Sequence, residues 1–295
     1  MDRLTGTGVA LITPFDEYLR IDRESLCRLV EYVILGGVDF LVVLGTTGEC
    51  ATLTAEEKAE VIKIVAEVNR GRLPLIAGIG GNNTTEVIRE IRQTAWLKLC
   101  DGILSITPFY NKPTQMGLYE HFKAISEVSP LPLCLYNVPG RTGVNMKAET
   151  VARLSYDCPN IIAVKEASGD FAQATDILKM KRPDFSALSG DDAILLPLMS
   201  LGFCGVISVA ANILPREFSA LVNSVKKGDY ATAQNLHIQL SEIGRALFEE
   251  GNPAGVKAAL HAAGLIRHNT LRLPLTPVNE ILYARIKELI RPFQV

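Results

Sequence analysis

Short, unbroken apolar runs recur along the chain at intervals of about 20–35 residues, with longer amphipathic stretches between them, a rhythm suited to repeated strand–helix units. The runs are GVALITP (8–14), FLVVLG (40–45), LPLIAG (73–78), GILSIT (102–107), LPLCLYN (131–137), IIAVKE (161–166), FSALSG (185–190) and GVISVA (205–210). They are continuously apolar rather than alternating, as parallel strands covered on both faces should be. Helix starts are legible between them. Thr54-Ala-Glu-Glu57 and Asn83-Thr-Thr-Glu86 carry capping patterns, and SLCRLVEYVILGG (25–37) has helical spacing and ends in glycines. Eight such units predict an α/β fold, a (β/α)8 barrel over residues 1–228. Residues 229–295 read as a C-terminal helical region of about three helices, divided by Gly251-Asn-Pro253 and Leu273-Pro-Leu-Thr-Pro277. Runs seven and eight are short and closely spaced, so an open doubly wound sheet is the alternative.

Composition narrows the class without naming a chemistry. The 295 residues are 48% hydrophobic and 21% charged, with a formal net charge of -2, ordinary for a globular enzyme with a large core. Opposite charges are interspersed, which recommends neither a nucleic-acid partner nor a membrane surface. The six cysteines are scattered with no C-x-x-C pair, so neither a zinc ribbon nor a redox motif is expected. No segment approaches the roughly 20 continuous apolar residues of a membrane helix, and the N-terminus shows no long hydrophobic signal core. A reducing, cytoplasmic setting is the expectation.

Candidate chemistry gathers where the strands end, as barrel enzymes place it. Lys165 follows four apolar residues at the end of the sixth run. Its stem could snorkel and its amine pair with Glu166. Alternatively, burial disfavours the charged form and exposes the free amine that attacks a carbonyl, which makes Lys165 a Schiff-base candidate. Tyr136 closes the fifth run; it is either a core tyrosine or a phenol that shuttles protons on and off a carbinolamine. Thr46 and Thr47 could relay those protons, though hydroxyls at strand ends more often cap turns. The flanking Gly45 and Gly48 let the backbone approach a ligand closely, so exposed N–H groups there could hold a carboxylate. Arg141, in Pro-Gly-Arg-Thr-Gly, either braces that turn or clamps a substrate carboxylate. Ser189-Gly-Asp-Asp reads as a helix start rather than as paired acids. The four histidines show no metal spacing, and AGIGGNN (77–83) and GTG (6–8) fit no nucleotide-binding pattern, so no metal or cofactor is expected.

GTTGE, TPFYNKP, YNVPGRTG, KEASGD, LSGDD and GVISV, in this order and each at a strand end, resemble the dihydrodipicolinate synthase family. That family belongs to the pyruvate-dependent class I aldolases, with N-acetylneuraminate lyase as a relative, and the resemblance covers essentially the whole chain. It implies a TIM barrel with C-terminal helices, usually a homotetramer built as a dimer of dimers. It implies condensation of pyruvate with L-aspartate 4-semialdehyde on the diaminopimelate route to lysine, without metal or cofactor. By motif, Lys165 is the Schiff-base lysine, Tyr136 the central proton donor and acceptor, and Thr47 its relay partner. Tyr110 is similar to the tyrosine that reaches across a dimer interface into the neighbouring site. The resemblance also implies that Thr46 and Thr47 hold the pyruvate carboxylate and Arg141 that of the aldehyde, and it matches Ile207 to a residue whose carbonyl lies near the pyruvate pocket. Asn82 and Glu86 match the allosteric pocket of lysine-inhibited relatives. Cys50, Ala55, Lys58 and Phe109 stand where those relatives often carry serine, histidine, histidine and tyrosine, so weak or absent lysine inhibition is expected. The alternatives are a sialic acid or keto-deoxy sugar-acid aldolase, against which Arg141 argues, and a catalytically dead barrel.

Overall fold

The computed structural model describes residues 4–293, so the extreme ends of the spans 1–228 and 229–295 lie outside the described residues. The strands are β1 (Gly6–Ala10), β2 (Phe40–Val43), β3 (Leu75–Gly78), β4 (Gly102–Ile106), β5 (Leu133–Asn137), β6 (Ile161–Glu166), β7 (Ser186–Ser189) and β8 (Gly205–Ser208). They form a closed barrel in the order β1 to β8, and their recorded ladders are parallel. The open doubly wound sheet is therefore overturned. β7 and β8 are only four residues each, yet both are wholly buried and pair at Ser189 and Val206. Short apolar strands suffice because closure leaves no edge to protect.

The first strand begins at Gly6 and stops at Ala10, earlier than the apolar run at 8–14 suggests. Beyond it, Ile12 N donates to Asn212 Oδ1 (3.2 Å), and Thr13 Oγ1 donates to Gly48 O (2.7 Å). The run stays buried: Leu11 N still reaches Val42 O of β2 (2.9 Å), and beyond it the polar groups turn to the Asn212 side chain and the loop after β2.

The chain divides into two compact units. Among the described residues, one comprises 4–5 and 75–207, with β3 to β7 and most of β8. Its ladders run Ile103 with Leu133, Tyr136 with Lys165 and Glu166 with Ser189. The other comprises residues 6–74 and 208–293, with β1, β2 and the last helices. Within it Gly8 is dictated by packing, because a Cβ there would lie 2.2 Å from the Phe40 ring. Among the described residues beyond 228, the longer helices are Tyr230–Ala246, Ala254–Ala262 and Glu280–Ile290.

Two predicted caps differ in outcome. Thr54 and Glu57 form a reciprocal capping box on the helix Ala55–Asn69. Asn83 caps the helix Thr84–Gln93 alone, accepting from Thr85 N, while Glu86 turns outward to pair with Arg89. No helix among the described residues is long and apolar enough to cross a membrane.

Candidate active site

β5 and β6 end side by side, with Tyr136 opposite Lys165 and Asn137 opposite Glu166. Alternation along a strand sends Lys165 and Glu166 to opposite faces and puts Tyr136 on the face of Lys165. Lys165 is 5% exposed, and its Nζ lies 4.3 Å from the centroid of the Tyr136 ring. It makes no ion pair among the described residues. The ordinary expectation, a pair with Glu166, is not what the fold builds.

Glu166 is occupied on the other face. Asn137 Nδ2 donates to both of its oxygens (3.2 and 3.0 Å), Gln173 Nε2 to one (3.1 Å) and Ser168 N to the other (2.7 Å). Asn145 Oδ1 accepts from Asn137 Nδ2 and Gln173 Nε2, and its Nδ2 donates to Gln173 Oε1, which closes the network. Burial pushes the Glu166 carboxyl above its ordinary range, opposed by the donors from Ser168, Asn137 and Gln173. The network ties the end of β5 to the end of β6 behind the Tyr136–Lys165 pair. Gly190 completes the enclosure: a Cβ there would come within 2.7 Å of Ala167 and 3.1 Å of the Lys165 stem.

The other predicted residues of this unit have different settings. Tyr110 is 88% exposed and sits at φ 74°, a left-handed conformation uncommon outside glycine. Asn82 holds the loop around it, donating to Phe109 O (3.1 Å) and accepting at its own carbonyl from Asn111 Nδ2 (2.9 Å). Glu86, its companion in the candidate allosteric pair, is exposed and bound to Arg89. Arg141 is exposed in the short helix Pro139–Thr142 and makes no ion pair among the described residues. Ile207 is fully buried in β8. Asp191 caps the 3₁₀ turn Asp192–Ile194, so Ser189-Gly-Asp-Asp is a helix start, as expected. No group of His, Cys, Asp or Glu among the described residues is placed to hold a metal ion.

In the second unit, the loop after β2 folds as the 3₁₀ turn Thr46–Gly48 and then turns at Glu49, φ 52°. Thr46 is half-buried, and its side chain makes no hydrogen bond among the described residues. Thr47 is buried, and its Oγ1 accepts from Asn252 Nδ2 at 2.9 Å. Glu49 pairs with Lys257, both side chains being inaccessible to solvent, and its Oε2 accepts from Arg272 N (3.1 Å). Lys257 also donates to Thr270 O (2.9 Å) and lies 4.2 Å from the Phe15 ring centroid. Arg272 binds Glu57, Thr52 O and Leu19 O.

Asn252, Lys257 and the role of Glu49 escape a reading of the motifs. One signal was present: Lys257 is the only charged residue in PAGVKAAL, where a surface helix would carry more.

The sequence profile of the dihydrodipicolinate synthetase family matches residues 3–292. The chain belongs to this family. It is 50% identical over 292 residues to the 4-hydroxy-tetrahydrodipicolinate synthase of Parabacteroides distasonis, covering 99% of this chain and 98% of that one. Among solved structures it resembles dihydrodipicolinate synthase from Thermotoga maritima, with a TM-score of 0.95, 40% identity and 98% of each chain covered. It also resembles a dihydrodipicolinate synthase variant described as monomeric, with a TM-score of 0.94, 40% identity, and 98% of this chain and 96% of that chain covered. Membership of the family confirms the fold class and makes the chain an enzyme of the lyase type.

Proposed function

We propose that this enzyme condenses pyruvate with L-aspartate 4-semialdehyde to 4-hydroxy-tetrahydrodipicolinate, through a Schiff base on Lys165. One observation carries the proposal: a buried lysine, free of any carboxylate, aligned in register with a tyrosine on the same face. The Lys165 amine adds to the ketone carbon of pyruvate, and the resulting carbinolamine loses its oxygen as water to leave a cationic imine. That cation acidifies the adjacent methyl group, which gives up a proton and becomes an enamine. The enamine carbon bonds to the aldehyde carbon of the second substrate, whose C=O π bond opens as its oxygen takes a proton to become a hydroxyl, and the cationic imine is restored. The amino nitrogen of the second substrate then attacks the imine carbon, closing the ring and expelling the Lys165 amine. Covalent catalysis divides one difficult deprotonation into easier steps.

In this reading Tyr136 donates and accepts the protons of imine formation, with Thr47 as its relay partner and Tyr110 as the link to solvent. Thr46 and Thr47 hold the pyruvate carboxylate, Arg141 holds that of the aldehyde, and Ile207 lines the pyruvate side. Thr46 is a second candidate for the relay, because its hydroxyl stands beside that of Thr47 in the same turn and makes no hydrogen bond among the described residues. Comparing Thr46→Val with Thr47→Val in kcat assigns the relay to the more damaged variant.

The proposal extends to assembly and setting. The exposure of Tyr110 on a left-handed backbone supports a partner protomer against that loop. The reading extends to a homotetramer built as a dimer of dimers, in the cytoplasm. Residues 1–228 are the catalytic barrel of this reading and 229–295 its helical region. Nucleic acid and membrane have no part in it. Asn82 and Glu86 mark the position of a lysine effector, and Lys58 and Ala55 make its binding weak.

The deciding experiment is reduction with borohydride in the presence of pyruvate, followed by peptide mass analysis. A pyruvate-derived adduct on Lys165 is expected. An unmodified Lys165, or an adduct elsewhere, would overturn the proposal. Cleavage of sialic acid faster than condensation with the semialdehyde would replace it with a lyase of the same superfamily.

A further inference from the structure

We propose that Asn252 is a positioning residue that fixes the Thr47 hydroxyl as a hydrogen-bond donor toward substrate. The inference rests on the reading of Thr47 as a residue that touches substrate or its proton relay. Asn252 is 7% exposed and Thr47 2% exposed, so water competes little for their bond. An amide NH₂ only donates. A hydroxyl that accepts a bond at its oxygen keeps its single proton for another acceptor. Thr47 is thereby set as a donor, the sense required by a pyruvate carboxylate or by a relay oxygen that is gaining a proton.

Two features separate this role from simple bracing of the loop. First, the Oδ1 of Asn252 is buried with no hydrogen-bond partner among the described residues. An asparagine retained for structure normally satisfies both ends of its amide; this one makes its side-chain bond to Thr47 alone. Second, the loop is anchored elsewhere. Thr13 Oγ1 holds Gly48 O, Lys257 and Arg272 N hold Glu49, and Arg272 Nη1 holds Thr52 O at 2.8 Å. The ionic anchor carries the loop, and Asn252 acts on one hydroxyl.

The test is steady-state kinetics on the full chain for Asn252→Ala, Asn252→Asp, Thr47→Val and the double variant Thr47→Val/Asn252→Ala, with thermal melts of each. Asn252→Ala is expected to lower kcat/KM for pyruvate by about tenfold at an unchanged melting temperature, since a freed hydroxyl loses its orientation. The same substitution is expected to add nothing in the Thr47→Val background, because it acts through that hydroxyl. Asn252→Asp, whose carboxylate accepts the Thr47 proton, is expected to fall further below Asn252→Ala. The split between kcat and KM then reports whether the donated proton serves the relay or the carboxylate. Independent, multiplying losses in the double variant would overturn the inference, whether or not the Asp variant folds. An Asn252→Ala enzyme with the parent's constants would also overturn it. If Thr47→Val itself runs at the parent's rate, the reading of Thr47 fails and this inference with it. An impaired Thr47→Val with additive losses sinks the inference alone.

Discussion

Two buried lysines differ in how the fold meets their charge. Lys165 and Lys257 are 5% and 0% exposed, and each lies over an aromatic ring, at 4.3 and 4.2 Å from the centroids of Tyr136 and Phe15. Burial and ring contact are therefore shared. The difference is the carboxylate. Lys257 has Glu49 against it and Thr270 O as a further acceptor. Burial pushes its amine down to about 8, with Glu49 opposing the shift. Lys165 has no such counter-charge, although a glutamate follows it in the chain. The strand sends Glu166 to the opposite face, where amides from Asn137 and Gln173 and the Ser168 N–H occupy it. A neighbour in sequence is thus withdrawn from one lysine, while a residue some two hundred positions away neutralises the other.

The comparison breaks most sharply at Lys165 itself. Lys165→Ala is expected to retain less than about a thousandth of the parent's activity in a coupled condensation assay, because the covalent route is gone. It should also yield no borohydride adduct with pyruvate. A variant turning over at the parent's rate would make the two lysines equivalent.

Glu49→Gln tests the other half. It leaves a buried lysine without its counter-charge, so urea unfolding should show a loss of about 3–5 kcal/mol. Borohydride labelling of Lys165 should persist in whatever fraction stays folded. A loss below about 1 kcal/mol would mean that the pair is not what keeps Lys257 inside.

His121 sharpens the comparison as a buried base with no counter-charge. Its Nδ1 meets Thr84 Oγ1 at 2.9 Å, and its Nε2 is buried without a hydrogen-bond partner. Burial lowers its pKa to about 4 from 6.5. A base depressed in the folded state binds its proton more readily when unfolded. The stability of the neutral form is therefore complete above about pH 6.5 and declines as pH falls toward 4. The contribution is roughly 3 kcal/mol from a shift of that size. Urea midpoints across this range should show a shallower acid slope in His121→Gln than in the parent.

The smallest expected effect belongs to the ring beneath Lys165. Tyr136→Phe keeps the aromatic face and removes the phenol, so kcat should fall by about a hundredfold, the scale of general acid–base catalysis, with the melting temperature preserved. An equal kcat would reduce Tyr136 to the packing role that Phe15 has beneath Lys257.

Much of this was legible because it is local. Continuous apolar runs located all eight strands, and Thr54 with Glu57 located a helix start to the residue. The first run overshoots β1 because residues 11–14 stay buried past its end, with Leu11 N on Val42 O and Ile12 N on the Asn212 side chain. Glu86 looked like half of a capping box, yet Arg89, three residues on, offered it a charge. Lys165 stood out because an ammonium at the end of an apolar run needs an explanation. Lys257 did not, because its explanation lies outside its own segment.

The amino-acid sequence alone determined the succession of strands and helices, the residues at the strand ends, and the family to which their motifs belong. Periodicity, capping and motif spacing act over a few residues and need no partner from elsewhere. The tertiary structure alone decided that the sheet closes, that Glu166 faces away from Lys165, and that Asn252 and Lys257 reach Thr47 and Glu49. The physical reason is that a buried polar group takes whatever partner the fold brings within reach, and distance along the chain carries no record of that choice.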